Sequence, residues 1–184
     1  LAWRALADAP VAVAANRDEA LGRPAEPPGV YADDPRAIAP RDVTAGGTWI
    51  GYNETGLFVG ITNRWIDRAG ERSRGLLVAD CLGESSAAAA IECVERAVEV
   101  DRYAGFNLTV ADADDAALLE YDGELSMTAF DPGVHVVVNV GADGTFVEPA
   151  ARPDVGRRQA GNASDLRAAL APAADETATA WLDR

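Results

Sequence analysis

Short apolar runs punctuated by Gly, Asp, Asn or Pro recur along the chain and predict strands over residues 11–15, 48–52, 57–62, 106–111, 117–121, 125–130 and 134–140. TWIGYNETGLFVGITN reads as a hairpin that turns at residues 53–56. Between the strand groups, residues 73–100 are predicted helical in two pieces that break near Gly83. In the second piece Ile91, Val94 and Val98 share a face, Glu92 lies one turn from Arg96, and Ser85 or Ser86 caps the start. Further helices are expected over about 163–170 and from Asp175 onward. Two strand groups separated by a helical pair predict an α+β class, with antiparallel sheets face to face and helices outside, in a single domain over residues 1–184.

Several apolar runs end in polar groups that a core does not need. VAVAANRDEALGRP delivers Asn16, Arg17, Asp18 and Glu19 directly after a strand, with Asn16 and Asp18 on one side and Arg17 and Glu19 on the other. Two readings stand open: a solvated strand end, or the wall of a site that orients a nucleophile or binds a charged group. In AGGTWIGYNETGLFVGITNRW, Gly46 and Gly47 allow close backbone approach or positive φ, and Trp49 is placed to cap an apolar space. That segment ends in Asn63 and Arg64, repeating the Asn-Arg tip. An Asn amide there either donates to a developing oxyanion or simply caps the strand. GVHVVVNVG carries a third such residue, Asn139, whereas Asn107 in YAGFNLTVAD reads as structural. Convergent polar groups at strand ends are how sites are built on sheets.

Charge narrows the partners. The 16 basic residues, all Arg, face 30 acidic ones for a net −14, a field that repels nucleic acid and anionic membrane surfaces. A halophilic source is the expected cause, a cationic partner the alternative. No apolar segment is long enough to span a membrane and no secretory leader is visible, so a cytoplasmic location is expected. Cys81, Cys93 and the single His135 lack metal-ligand spacing, and no phosphate loop or dinucleotide fingerprint occurs. No metal and no cofactor is therefore expected, and the partner is expected to be a small-molecule substrate or ligand. LAWRAL reads as a strand already under way and ETATAWLDR as a helix cut short, so a fragment is expected.

The ordered set ANRDE with the following RP, GGTW-I-G, N-x-x-G-L, TNR, SRG-L-L-V and Y-x-G-F-N-L resembles the NRDE family, also called the transport and Golgi organisation protein 2 family. The resemblance runs from about Val13 to Asn139. It implies the N-terminal nucleophile hydrolase fold, a four-layer αββα sandwich. It also implies a cysteine at the amino terminus that attacks an amide, as in hydrolases of the choloylglycine type. That cysteine is absent from a sequence that starts at Leu1, and Cys81 and Cys93 are not placed to replace it. By the same resemblance Asp18 contacts the nucleophile's amino group, Arg17 supports its thiolate, Asn63 forms the oxyanion hole and Asn139 orients the substrate. Asn16, Glu19, Trp49 and Arg64 complete the expected substrate-binding set. A Gly-Thr-Arg segment expected near the family's carboxyl end is missing. The implied function is an amidohydrolase or acyltransferase on a small amide. The alternative is a non-catalytic binding or trafficking protein for haem, acyl-CoA or lipid, with axial haem ligation poorly served by one His and Met127.

Overall fold

A computed structural model describes residues 1–184 except Asp18 and Leu21. It contains one large antiparallel sheet of seven strands in chain order, the simplest topology for consecutive hairpins. These are β3 (Ala25–Asp33), β4 (Arg36–Asp42), β5 (Ile50–Asn53), β6 (Phe58–Asn63), β7 (Phe106–Ala111), β8 (Ala116–Tyr121) and β9 (Leu125–Ala129). The helices α1 (Arg74–Cys81) and α2 (Ala87–Val100) connect β6 to β7 and cover one face. The other face meets a second layer of short strands: β1 (Ala2–Trp3), β2 (Val11–Ala12) and β10 (Gly133–Val134) in one ladder, β11 (Val137–Val138), β12 (Gly141–Ala142) and β13 (Thr145–Phe146) in another. Outside that layer lie α3 (Pro153–Ala169) and α4 (Ala178–Leu182). The order is helix, sheet, sheet, helix, the expected αββα sandwich.

Period-two alternation explains why β7 is buried along its whole length. Phe106, Leu108 and Val110 point into the core under α1 and α2, together with Val59, Leu119 and Tyr121. Asn107, Thr109 and Ala111 take the opposite face, which meets the second sheet through Trp3, Phe58, Leu118 and Phe130. A third apolar cluster of Ala2, Ala12, Val134 and Trp181 joins the second sheet to α4.

Both helix starts in the predicted helical stretch are capped by serine: Ser73 accepts from the Gly75 amide, and Ser86 from that of Ala89. Asp112 adds a longer-range cap. Its carboxylate accepts from the Ala87 amide at 2.6 Å and from the amides of Asp114 and Asp115 at 2.8 and 2.9 Å. Burial opposes the charge, but these three donors outweigh it and hold the carboxyl below its ordinary range. A depressed folded value contributes stability above the unfolded pKa of about 4, and that contribution is lost as pH falls through the folded value. Asp112→Ala is therefore expected to lower stability at pH 7 by about 2 kcal/mol, with a smaller deficit at pH 3. Urea melts at the two pH values check this; equal deficits would refute the electrostatic account.

Three expectations change. The strand predicted over 134–140 is broken, because the Asp143 carboxylate takes the Val136 amide at 3.3 Å and the His135 ring, drawing the chain out of the ladder. The strand predicted over 11–15 pairs with β1 only at Val11 and Ala12, and its continuation borders a cleft. The helix expected over 163–170 begins at Pro153, whose fixed φ suits a first turn. The β3–β4 hairpin was not predicted at all. Its Pro27 and Pro28 fall where the register shifts, on an edge strand that tolerates missing amides.

Candidate functional site

A cleft has two arms that share Asn16, Trp49, Ile61 and Thr62. One arm, about 350 Å³, is mainly apolar, with Val13, Phe58, Val136, Leu170 and Trp181 on its walls. The other, about 510 Å³, is polar and lies between Asn16, Arg17, Glu19 and Arg23, the tip of β6 and the start of α1.

The polar arm exists because two glycines let the chain approach itself. Gly46 takes φ +78°, and a Cβ on Gly47 would fall far inside van der Waals contact with the Gly75 carbonyl. At this crossing the Thr48 amide donates to the Gly75 carbonyl at 3.0 Å. GGTW and SRG, distant in sequence, thus form one backbone junction that seats Trp49 and the first turn of α1 on the cleft.

Of the residues expected at a site, Asn16, Arg17, Glu19, Trp49, Asn63 and Asn139 all line the polar arm. Arg17 lies over the Trp49 ring at 4.5 Å, a cation–π contact. Glu19 approaches Arg23 at 3.6 Å, and Arg23 in turn holds Asp42 at 2.6 Å. Asp18 lies outside the described residues. Asn63, the last residue of β6, is exposed. Asn139 sits in the tight turn between β11 and β12 instead of on a long strand. Its amide nitrogen donates to the Asn63 carbonyl at 2.7 Å, and its amide oxygen accepts from Gln159 at 3.0 Å. Both ends of that side chain are engaged by protein, which makes Asn139 a brace for the β6 tip.

Arg64 departs from its expected substrate-binding place. Its side chain is 10 % exposed, paired with Glu120, and donates to Asn107 Oδ1 at 3.0 Å. Asn107 passes the connection on, donating to the Val138 carbonyl at 2.8 Å. A row of polar groups across β6, β7 and β8 thereby ties the large sheet to the second layer beneath the cleft.

The sequence reading did not single out Arg74, at the start of α1, although the SRG motif contained it. It lines the polar arm, and one N–H donates to the Gly105 carbonyl at 2.7 Å. Burial, reinforced by Arg23 and partly offset by Glu19, lowers its pKa. The apolar arm also receives the amino end of β1. The Leu1 ammonium donates to the His135 carbonyl at 3.0 Å, and burial, opposed by the Asp143 charge, lowers its pKa to about 6. His135 itself is buried, stacked on Phe130 at 3.9 Å, with Asp143 and the Asp131 carbonyl on its two nitrogens. Cys81 and Cys93 lie in the α1–α2 layer, away from the cleft. Hydrogen bonding to Cys93, together with burial, pushes the Cys81 thiol well above its ordinary range. Among the described residues no group of three or more acidic, His or Cys side chains is arranged to hold a metal ion, and no helix is long and apolar enough to cross a membrane.

A family model described as Transport and Golgi organisation 2 matches residues 1–159. Comparison with curated proteins finds no match. Among solved structures, a penicillin V acylase from Agrobacterium tumefaciens matches with a TM-score of 0.41 and 18 % identity, over 51 % of this chain and 32 % of the acylase. The match spans about a third of the acylase's own length.

Proposed function

The chain belongs to the Transport and Golgi organisation 2 family, and from that membership and the shape of the cleft we propose a hydrolase-like site that cleaves or transfers the acyl group of a small amide. The observation that carries this reading is the place where β1 starts. Leu1, just ahead of that strand, lines the apolar arm together with Asn16, Trp49 and Thr62, and chain joined ahead of it is proposed to start from this wall. A cysteine delivered there meets Arg17, whose charge favours the thiolate, and its own α-amine is proposed to serve as the base. Asp18 is proposed to hold that amine.

In the proposed reaction the amine takes the thiol proton and the thiolate attacks the amide carbonyl carbon. The carbonyl oxygen becomes an oxyanion that the Asn63 side-chain amide meets as donor. Collapse breaks the C–N bond, and the departing amine takes the proton held by the ammonium, leaving a thioester. Water, losing a proton to the same amine, then releases the acid and restores the thiol. Asn16, Glu19 and Trp49 contact the substrate in this scheme, and Asn139 acts as a positioning residue through the Asn63 main chain.

A second reading, a binding or trafficking protein that uses the cleft without turnover, is favoured by one observation: neither Cys81 nor Cys93 reaches the cleft. Peptide mapping of the natural gene product, with timed thiol alkylation and an amide screen, separates the two. The hydrolase reading expects an amino-terminal cysteine that alkylates faster than Cys81 and Cys93, and an Asn63→Ala variant with turnover about 100-fold lower. A mature product without that cysteine, which still binds ligand, would establish the binding reading.

A further inference from the structure

The polar arm is lined by arginines and carboxylates together, with Glu19 standing 3.6 Å from Arg23. Over a protein of net −14, an anion is repelled at long range and is held only where local cations outweigh the field. Four arginines, Arg17, Arg23, Arg72 and Arg74, border this arm. Two are already committed: Arg23 to Asp42 at 2.6 Å, and Arg72 to Asp101 at 2.8 Å and Asp80 at 2.6 Å. Glu71, also on the rim, faces Arg102 at 3.5 Å. Among the described residues no carboxylate pairs with Arg17 or Arg74.

Arg74 is the more telling of the two. Arg23 and Arg72 have their charged forms reinforced by hydrogen bonds to Asp42 and Asp101, which raise their pKa values. Arg74 is shifted the opposite way, by burial first and then by the like charge of Arg23, with Glu19 offsetting only part of it. A half-buried guanidinium that spends one N–H on the Gly105 carbonyl keeps the rest of its five-donor fork for something else. An anion placed against that fork relieves the repulsion between Arg74 and Arg23 and replaces the lost hydration.

The neighbouring arm supplies the other half of the ligand's description. It is walled mainly by apolar side chains and joins the polar arm at Trp49 and Thr62. We infer that the polar arm is an anion subsite, in which Arg74, with Arg17 and Arg23 beside it, receives a carboxylate or phosphate group of a ligand whose apolar part lies in the other arm. This rests on the reading of the cleft as a small-molecule site and narrows its ligand to an amphipathic anion. Arg74 is here a binding residue, outside the proposed bond-breaking steps.

The test is calorimetric titration of the 184-residue chain with octanoate, octyl phosphate and octanol, each below its aggregation limit. At least one anion is expected to bind about 10-fold or more tightly than octanol, the worth of a charge-assisted hydrogen bond. Arg74→Gln should abolish that preference while octanol binding stays within about twofold, and Arg74→Lys should restore part of it. In the unaltered chain the preference should shrink between about 0.05 and 0.5 M salt, which keeps the test decisive if a variant fails to fold. Whichever anion binds better identifies the head group. Equal binding of octanol and both anions would overturn the subsite while leaving the small-molecule cleft standing. A preference that survives in folded Arg74→Gln would do the same. Failure of all three probes to bind would remove both.

Discussion

Gly47→Ala is expected to cost about 3 kcal/mol of folding stability, at the upper end for forcing one carbon into a filled space. The new methyl meets backbone, the carbonyl of Gly75 and the amide of Leu76, so no side-chain rotation relieves it. The chain must open the junction, and the Thr48 amide then loses the Gly75 carbonyl. Gly46→Ala separates sterics from conformation. That residue sits at φ +78° with nothing within 4 Å of a built Cβ, so only the left-handed backbone is penalised, by about 1 kcal/mol. Gly161→Ala, inside α3 with the same open surroundings, should instead stabilise by up to about 1 kcal/mol. Urea unfolding of the three variants gives the order directly. If Gly47→Ala proves no worse than Gly46→Ala, the junction is looser than the geometry says. Because Arg74 and Trp49 flank this crossing, Gly47→Ala should also weaken binding in both arms of the cleft.

The large sheet was legible in the sequence wherever both faces obeyed period two. FNLTVA shows this best: Phe106, Leu108 and Val110 serve one core, while Asn107 and Thr109 face the other sheet. The serine cap of α2 was equally local and equally legible, expected at Ser85 or Ser86 and found at Ser86. What escaped depended on partners outside the run being read. The segment around His135 looks like one strand until Asp143 takes its polar groups. The first half of α3 has no apolar stripe, and is held partly by Gly156 packed on Pro149 and by Arg157 paired with Glu148. The hairpin of β3 and β4 was hidden by prolines that an edge position renders harmless.

The same division runs through the site. Asn16, Asn63 and Asn139 ended apolar runs and do meet in one arm of the cleft. Repetition of the Asn-Arg pair nevertheless misled at Arg64. Whether an arginine at a strand tip turns outward or back across the sheet is decided by its cross-strand neighbours. Here Asn107 and Glu120 are aligned beside Thr62 by the β6–β7 and β7–β8 registers, and they draw Arg64 inward. Arg74 was missed for the converse reason. A first-turn arginine after a serine cap looks solvated, and only the Gly47–Gly75 crossing encloses it.

Arg64→Ala is accordingly expected to destabilise the fold by about 3–5 kcal/mol, the range for removing one partner of a buried ion pair. Arg64 and Glu120 have side-chain exposures of only 10 % and 17 %. Truncation leaves a carboxylate with little water to replace the guanidinium, and takes a donor from Asn107 Oδ1. The pair is not fully satisfied even in the native chain, since Arg64 Nε has no hydrogen-bond partner. Replacing both members by apolar residues, Arg64→Met with Glu120→Leu, should therefore recover much of the loss, and a double-mutant cycle should give a coupling of about 2 kcal/mol or more. The cycle also decides between the two roles considered for this arginine. A substrate-binding Arg64 would yield single variants of near-native stability with weakened ligand binding. The brace described here yields unstable single variants, a stabilised double variant, and a cleft that regains ligand once the fold is restored.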